Sequence, residues 1–395
     1  MQNVFERVLP VSADPVAVFG VGSRSLVSRG HRFVGRAEPN APYVEDASLS
    51  RGLPAAKSFD DIAAVAGRFP NVLAVRGHFA GSEGPPGYRA FVFSGKAWGA
   101  ARVPAFDRVW SAAKHGAGYA VFSPDSFYLN NGMLGIVDDR PIYPCEPTPL
   151  RSIAVGVKAP ALVAPASFFA MNLATDGGGA PVAWGYVACR PGVHAARLDA
   201  EARMTVEALP GTEGCTARDS SNGLPLAVAR LYPAADGGAY ALVGAMRWRD
   251  DPDPSELPAP EGPCLAAPLR LKRGPSGGWS AFGAPLPPVA PAGDDVIDRS
   301  AIDPAGTAYL VTRRATVLRV DATGAISELG LAASCLEAPP GAAELDEFTP
   351  PSGPTIKKVE APFAGDVWVA VALGDRRALC RWAAGGLERA PGRLG

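Results

Sequence analysis

Short apolar stretches, each followed by a glycine- or proline-containing break, run through the whole chain. Three of them, at 16–22, 308–311 and 367–373, precede the same pattern, Arg-x-x-φ-x-Arg, in which φ is Val or Leu. Its paired arginines are Arg24/Arg29, Arg314/Arg319 and Arg376/Arg381. Alternation of apolar and polar residues after the break is typical of a strand with one buried face. The pattern therefore predicts a repeated unit of short antiparallel strands.

A second recurring pattern is a strand, a glycine-containing turn and a large apolar residue that starts the next strand. It occurs at 91–98, at 269–279 and at 379–387. Glycine permits the positive φ of tight hairpins, so each copy predicts a hairpin.

The spacing of the apolar stretches indicates the size of the repeated unit. First strands are predicted near 16–22, 62–66, 109–113, 153–157, 226–230, 296–302 and 367–371. The first four begin 46, 47 and 44 residues apart. Proline-rich insertions near 250–263, 285–291 and 336–354 lengthen the later intervals. A four-stranded propeller blade occupies about 40–50 residues.

Over nearly the whole chain these repeats resemble those of β-propeller proteins in general. The Trp-Asp ending of one propeller class is absent, and Ser276-Gly277-Gly278-Trp279 keeps only part of the Asp-box turn of another. The resemblance implies an all-β fold: one β-propeller domain over 1–395 with seven four-stranded blades, six or eight being alternatives. We expect the ends to be closed together, with residues 1–10 supplying an outer strand of the last blade. A pair of β-sandwiches is the alternative fold.

Composition narrows the class of partner. The chain has 38 basic and 39 acidic residues, so no overall field favours nucleic acid or an anionic membrane. The most apolar segment, 152–171, contains Lys158, Pro160 and Pro165, which argues against a membrane-spanning helix. We expect neither nucleic acid nor a membrane span, and the sequence does not specify an oligomeric state.

The six cysteines follow the repeat. They fall into the sequential pairs Cys145/Cys189, Cys215/Cys264 and Cys335/Cys380, separated by 44, 49 and 45 positions. In each pair the first cysteine lies in a connection before a blade, and the second lies in or beside a predicted third strand. We expect three disulfides, although six free cysteines serving as small core residues are the alternative.

Disulfides predict an extracellular or periplasmic protein. The first residues lack the basic and apolar regions of a signal peptide. Either a removed signal precedes residue 1, or the protein is cytoplasmic.

Few residues have a pattern that suggests catalysis. Arg29-Gly30-His31 and Arg76-Gly77-His78 lie 47 residues apart, and His115 follows 37 residues after His78. Equivalent residues of successive blades can converge on a central channel, so these histidines could form an acid–base or metal-binding ring. The alternative is a repeated turn with half-exposed imidazoles. No zinc-protease or serine-hydrolase motif is present.

Charged residues offer two further candidates. Arg29, Arg319 and Arg381 could bind an anionic ligand at the channel rim, or could be solvent-facing strand residues paired with acids. The acidic segment 249–256 could hold calcium, but its prolines favour a solvated insertion. The sequence predicts no catalytic residues, no metal ligands and no cofactor.

We therefore expect an exported, non-catalytic binding or scaffolding module that presents blade loops to a protein or glycan partner. The insertions 250–263 and 336–354 are the predicted contact loops. A glycan-active hydrolase or lyase with its site at the channel mouth, and a structural surface or coat component, are the alternatives.

Overall fold

The fold was analysed in a computed structural model of the chain. The structure describes residues 8–10, 18–24, 29–35, 44–45, 62–68, 71–78, 87–94, 96–100, 111–115, 118–122, 149–150, 162–163, 168–187, 190–199, 204–215, 227–245, 264–288, 297, 299–312, 316–330, 355–373, 376–383 and 386–389.

In the described part of the N-terminal half, the strands form two four-stranded sheets and two two-stranded antiparallel pairs. The strands are β1 (Val8–Pro10), β2 (Val18–Arg24), β3 (Arg29–Gly35), β4 (Val44–Glu45), β5 (Ile62–Arg68), β6 (Asn71–His78), β7 (Gly87–Ser94), β8 (Trp98–Ala100), β9 (Ser111–His115), β10 (Gly118–Phe122), β11 (Pro149–Leu150) and β12 (Leu162–Val163). Strands β1–β4 and β5–β8 form the sheets, and β9–β10 and β11–β12 form the two-stranded pairs.

Four more four-stranded sheets follow. Their strands are β13 (Phe168–Thr175), β14 (Pro181–Val187), β15 (His194–Leu198), β16 (Met204–Ala208), β17 (Ala227–Pro233), β18 (Ala239–Ala245), β19 (Leu269–Arg273), β20 (Trp279–Ala281), β21 (Ala301–Ile302), β22 (Ala308–Val311), β23 (Val317–Val320), β24 (Ile326–Leu329), β25 (Thr355–Phe363), β26 (Asp366–Leu373), β27 (Arg376–Ala383) and β28 (Gly386–Arg389). A helical turn that includes Ile297 and Arg299 precedes β21.

Every four-stranded sheet is an antiparallel meander in chain order. The first strand of a sheet packs against the preceding sheet, as β17 does on β13 and β14, β21 on β17 and β18, and β25 on β21 and β22. Four-stranded antiparallel sheets packed in sequence are the arrangement of a propeller, so the predicted all-β, propeller-like class is confirmed. Seven blades and ring closure stay predictions.

Several predicted strand positions need correction. The stretches 16–22 and 367–371 fall on β2 and β26, which are second strands, because the first strands of their sheets are a three-residue strand and the lysine-containing β25. β1 pairs with β2, so residues 8–10 belong to the first sheet and not to the last, which has four strands of its own. The sequence also missed β13, and 153–157 lies outside the described residues.

The hydrophobic core of the described residues lies between adjacent sheets. One cluster joins the last three sheets through Tyr232, Leu242, Leu310 and Val369, among others. A second joins the sheets β13–β16 and β17–β20 around Trp184 and Leu271. All seven residues of β14 are buried, because this strand is covered on both faces. Burial on both faces explains why alternation is weak in the second strands.

A disulfide joins Cys215, after β16, to Cys264, before β19. This pair is the predicted one, and it lies where the sequence places it, between the connection that leads into a sheet and the third strand of that sheet. Cys380 in the third strand β27 is also disulfide-bonded.

The expected position of Cys189 needs correction. The apolar segment beside it in the chain, 181–187, is β14, which is the second strand of its sheet and not the third. β14 is apolar throughout because it is buried on both faces. The sequence pattern also expected third strands to be apolar, and it therefore assigned this segment to a third strand. Cys145, Cys189 and Cys335 themselves lie outside the described residues, so the pairings Cys145/Cys189 and Cys335/Cys380 stay predictions.

Within the described part of the chain, no helix is long and apolar enough to cross a membrane.

Candidate functional site

The turns between the first and second strands of four successive sheets lie side by side. We call this row the first-hairpin edge; it consists of residues 176–180, 234–238, 303–307 and 364–365. Gly177 and Gly178 donate to the carbonyl oxygens of Gly238 and Gly237, at 2.7 and 3.0 Å. The Ala235 amide donates to the Pro304 carbonyl at 2.9 Å. Hydrogen bonds between sheets therefore fix the relative positions of neighbouring turns.

Aspartate and glycine shape two of these turns in the same way. Asp176 Oδ1 accepts from the Ala180 amide at 2.7 Å, and Asp303 Oδ1 accepts from the Ala305 and Thr307 amides at 2.9 and 3.0 Å. Three residues after each aspartate, Gly179 and Gly306 have φ of 87° and 92°, a conformation that side-chain-bearing residues rarely adopt. The Asp-x-x-Gly sequence therefore specifies the hairpin.

Third strands bring basic side chains to the same edge. Arg197 lies 2.9 Å from Asp176, Lys272 lies 2.7 Å from Asp236, and Arg381 lies 2.7 Å from Asp366. These basic side chains are 26–29% exposed, whereas Asp176 and Asp366 are buried beneath them. The hydrogen bond from the Lys272 ammonium and one from the Gly238 amide lower the pKa of Asp236, so this pair is charged at neutral pH.

Aromatic rings lie beneath two of the cations. Lys272 Nζ lies 5.5 Å from the ring centroid of Tyr240 and 5.3 Å from that of Phe282, and the Arg381 guanidinium lies 5.7 Å from the Trp368 ring. These distances fit cation–π contacts. In the intervening sheet the Tyr309 hydroxyl donates to Asp303 Oδ2 at 3.2 Å, and burial raises the pKa of Tyr309. In the sheets β17–β20 and β25–β28, the edge thus combines a carboxylate, a second-strand aromatic ring and a third-strand cation.

A buried arginine fastens two of the sheets together below the edge. Arg270 donates to the carbonyl oxygens of Phe282, Ala284, Gly306, Val320 and Asp321, at 2.8–3.2 Å. Three of these carbonyls belong to the sheet β21–β24, whereas Arg270 lies in β19. These structural hydrogen bonds occupy the guanidinium nitrogens of Arg270, so its side chain is not available to bind a ligand.

A second charged cluster lies where first strands meet. Arg230 of β17 reaches past the two-residue strand β21 to Glu360 of β25, 3.0 Å away, and also donates to the Ser300 carbonyl at 2.8 Å. Lys358 lies 3.0 Å from the same Glu360 oxygen. Burial favours protonation of Glu360, but the charges of Lys358 and Arg230 outweigh it and lower its pKa. The carboxylate is therefore held as a structural anion.

The predicted histidines are placed only by their backbones. His31 lies in β3 and His78 ends β6, so both are near the second hairpins of their sheets, at the opposite end from the first hairpins. His115 ends β9 beside the β9–β10 hairpin. Their side chains lie outside the described residues, so a histidine ring stays a prediction.

The predicted arginines do not occupy equivalent places. Arg29, Arg319 and Arg381 all lie in third strands, but Arg29 is the first residue of β3, paired in register with Arg24 beside the β2–β3 hairpin, whereas Arg319 and Arg381 lie further along β23 and β27. Arg381 is paired with Asp366, and the Arg319 side chain interacts with Tyr309. The side chain of Arg29 and the acidic segment 249–256 lie outside the described residues.

Sequence reasoning missed Arg197 and Lys272 and the aspartates of the edge. The repeated Asp-x-x-Gly at Asp176, Asp303 and Asp321 was the available signal, since all three aspartates accept backbone hydrogen bonds in hairpin turns. Among the described side chains, no three of His, Cys, Asp or Glu are grouped as a metal site would require.

No protein-family model matches the chain, and no curated protein is significantly similar to it in sequence. Solved structures give distant likenesses. YCF48 bound to a D1 peptide has 11% identity and a TM-score of 0.43, over 97% of this chain and 98% of that one. Apo AztD from Citrobacter koseri has 13% identity and a TM-score of 0.42, over 97% of this chain and 87% of that one.

A prolyl endopeptidase structure has 10% identity and a TM-score of 0.48, over 98% of this chain and 50% of that one, so this chain spans half of its length. All three TM-scores lie below 0.5 and support no argument about function. The propeller-like interpretation depends on the sheet order and packing described above.

Proposed function

We propose that this chain is a non-catalytic binding propeller that presents one end of its sheets and its long connections to a protein or glycan partner. The observation that supports it most is the first-hairpin edge. Its turns are joined between sheets by backbone hydrogen bonds, and their tips carry exposed residues such as Ala235 and Ala305. A preordered surface of this kind binds without a large entropic cost.

The proposal includes a single domain over 1–395 and export to an oxidising compartment. The Cys215–Cys264 disulfide supports the second point, because such bonds are rare in cytosolic proteins. The insertions 250–263 and 336–354 remain the proposed additional contact loops.

Site-specific photo-crosslinking in the producing cells tests the proposal. A crosslinking side chain at Ala235 or Ala305 is expected to capture the same partner. The matched control is Ala208, which is exposed and ends β16, at the opposite end of its sheet and outside the proposed contact loops. Crosslinks of equal yield and identity at all three positions, or none at Ala235 and Ala305, would contradict the proposed edge.

A glycine variant makes the test specific to the edge. A Cβ at Gly177 would collide with the Ala234 carbonyl oxygen, so Gly177→Val is expected to separate two turns and reduce capture severalfold. Gly214→Ala, where nothing lies within 4 Å of the added Cβ, is the control. Steady turnover of glycans by the purified protein would favour the hydrolase or lyase alternative instead.

A further inference from the structure

The orientation of Arg197 at the first-hairpin edge is fixed from below. Arg197 Nε donates to Asp176 Oδ2 at 2.9 Å, while Asp176 Oδ1 accepts from the Ala180 amide at 2.7 Å. Asp176 is buried, and both of its oxygens are used. The carboxylate therefore holds the guanidinium in one direction.

The other side of this guanidinium faces outward. Among the described residues, none accepts a hydrogen bond from Nη1 or Nη2 of Arg197, and the side chain is 29% exposed. The adjacent turn is Gly177-Gly178-Gly179, which has no side chains to block an approaching group. A planar pair of donors is thus preordered toward solvent.

A similar pairing occurs in the last sheet. Arg381 also uses Nε to bind a buried aspartate, with 2.7 Å between Nε and Asp366 Oδ1, and is 26% exposed. At both positions a third-strand arginine is therefore held through Nε by a carboxylate next to the first hairpin. The recurrence indicates that the repeat places the guanidinium in this way.

A guanidinium fork fits a carboxylate or a phosphate, because two parallel N–H groups match two oxygens. Glu207 and Asp236 lie on neighbouring elements, where Arg273 and Lys272 neutralise them, and the chain has a formal charge of -1. The described charges near the fork are therefore paired and form no basic patch of the kind that attracts a polyanion such as nucleic acid or an anionic membrane. A single carboxylate directed at the fork needs no such patch.

We propose that Arg197 recognises an aspartate or glutamate side chain of a protein partner that docks on the first-hairpin edge. The inference rests on the proposed binding function and adds a partner class to it. Arg197 acts as the contact, and Asp176 acts as its positioning residue.

Selection of binders from a random displayed peptide library against the full chain tests this inference. Enriched peptides are expected to contain Asp or Glu, and replacing that residue by Asn or Gln is expected to weaken binding about tenfold or more. Arg197→Lys keeps the charge but lacks the fork, and is expected to give a similar loss. Asp176→Asn is expected to give a smaller loss, since the fork remains but is no longer held.

Arg190→Lys is the matched control, because Arg190 is exposed in the β14–β15 connection at the other end of β15. Equal binding to the unaltered chain and to Arg197→Lys would overturn the inference while leaving the proposed binding function intact. Tighter Arg197-dependent binding of a DNA oligonucleotide or of anionic vesicles would also overturn it. Failure to select any peptide, together with absent crosslinks at the edge, would overturn both proposals.

Discussion

At the scale of single residues, Arg270 is a buried cation that is held by backbone carbonyl oxygens. Its guanidinium is buried and bonded to five backbone carbonyls, without a carboxylate in direct contact among the described residues. Burial lowers the pKa of Arg270, but an arginine pKa lies so far above neutral that the group stays charged. Removing the side chain would take a donor from each of these carbonyls, of which those of Gly306 and Val320 are buried.

Arg270→Met is therefore expected to lower the free energy of unfolding by about 3 kcal/mol or more, since one unsatisfied buried carbonyl costs about 1–3 kcal/mol. Denaturant titration measures this. The control is Arg273→Met, which breaks a half-buried pair with Glu207 and should cost about 1 kcal/mol or less. Equal losses in the two variants would show that the carbonyl cage adds no stability.

His194 gives the fold a pH dependence. Burial lowers its pKa below the ordinary 6.5, the Gly192 carbonyl 3.2 Å from Nδ1 partly offsets this, and the charge of Arg190 lowers it further. Between the lowered pKa and 6.5, His194 is therefore protonated in the unfolded chain and neutral in the folded protein. Stability from this residue is complete above pH 6.5 and decreases as the pH falls toward the lowered pKa.

Unfolding free energies at about pH 7.5 and about pH 5.5 check this prediction. The decrease in stability between them is expected to be smaller in His194→Gln than in the unaltered chain. Comparing the pH dependence, not the absolute stability, separates the titration from any packing effect of glutamine. Identical decreases in both proteins would exclude His194 as the source.

At the scale of elements, the sequence predicted hairpins better than it predicted their order. Apolar stretches located β5, β9 and β17, and a glycine-containing turn located the β19–β20 hairpin, because both signals are set locally. In the sheets that begin with β1 and β25, the sequence pattern took the second strand for the first. The first strands there are short or carry lysines, whereas the second strands are apolar. The segment beside Cys189 is β14, a second strand, and it was assigned to a third strand because it is equally apolar.

The candidate site was less predictable for a different reason. Asp176 and Arg197 are 21 positions apart, and they meet only because β13, β14 and β15 fold back on one another. The Asp-x-x-Gly turns were visible as a repeated sequence, but the third-strand cations of the edge do not follow their paired aspartates at a constant spacing. Arg197 and Lys272 follow their aspartates by different intervals because the β18–β19 connection is much longer than the β14–β15 connection.

At the scale of the whole molecule, the Cys215–Cys264 disulfide follows the repeat and supports the proposed export. Cys215 is held before β17 by a turn in which Thr212 binds Leu209 and Val193, and Cys264 leads into β19. The bond therefore fixes the exit of one sheet to the third strand of the next, across a sequence separation of 49. In the chain-entropy model, a loop of this length is worth about 4 kcal/mol, and measured values are typically about 2–4 kcal/mol.

Cys215→Ala with Cys264→Ala is expected to lower the free energy of unfolding by about 2–4 kcal/mol. Reductant is expected to lower the stability of the unaltered chain by more than that of the double variant, whose remaining response comes from bonds such as that of Cys380. Alkylation of the native protein followed by mass measurement gives the independent check. No labelled cysteine is expected before reduction and six after it, whereas six labelled cysteines in the native protein would remove the argument for export.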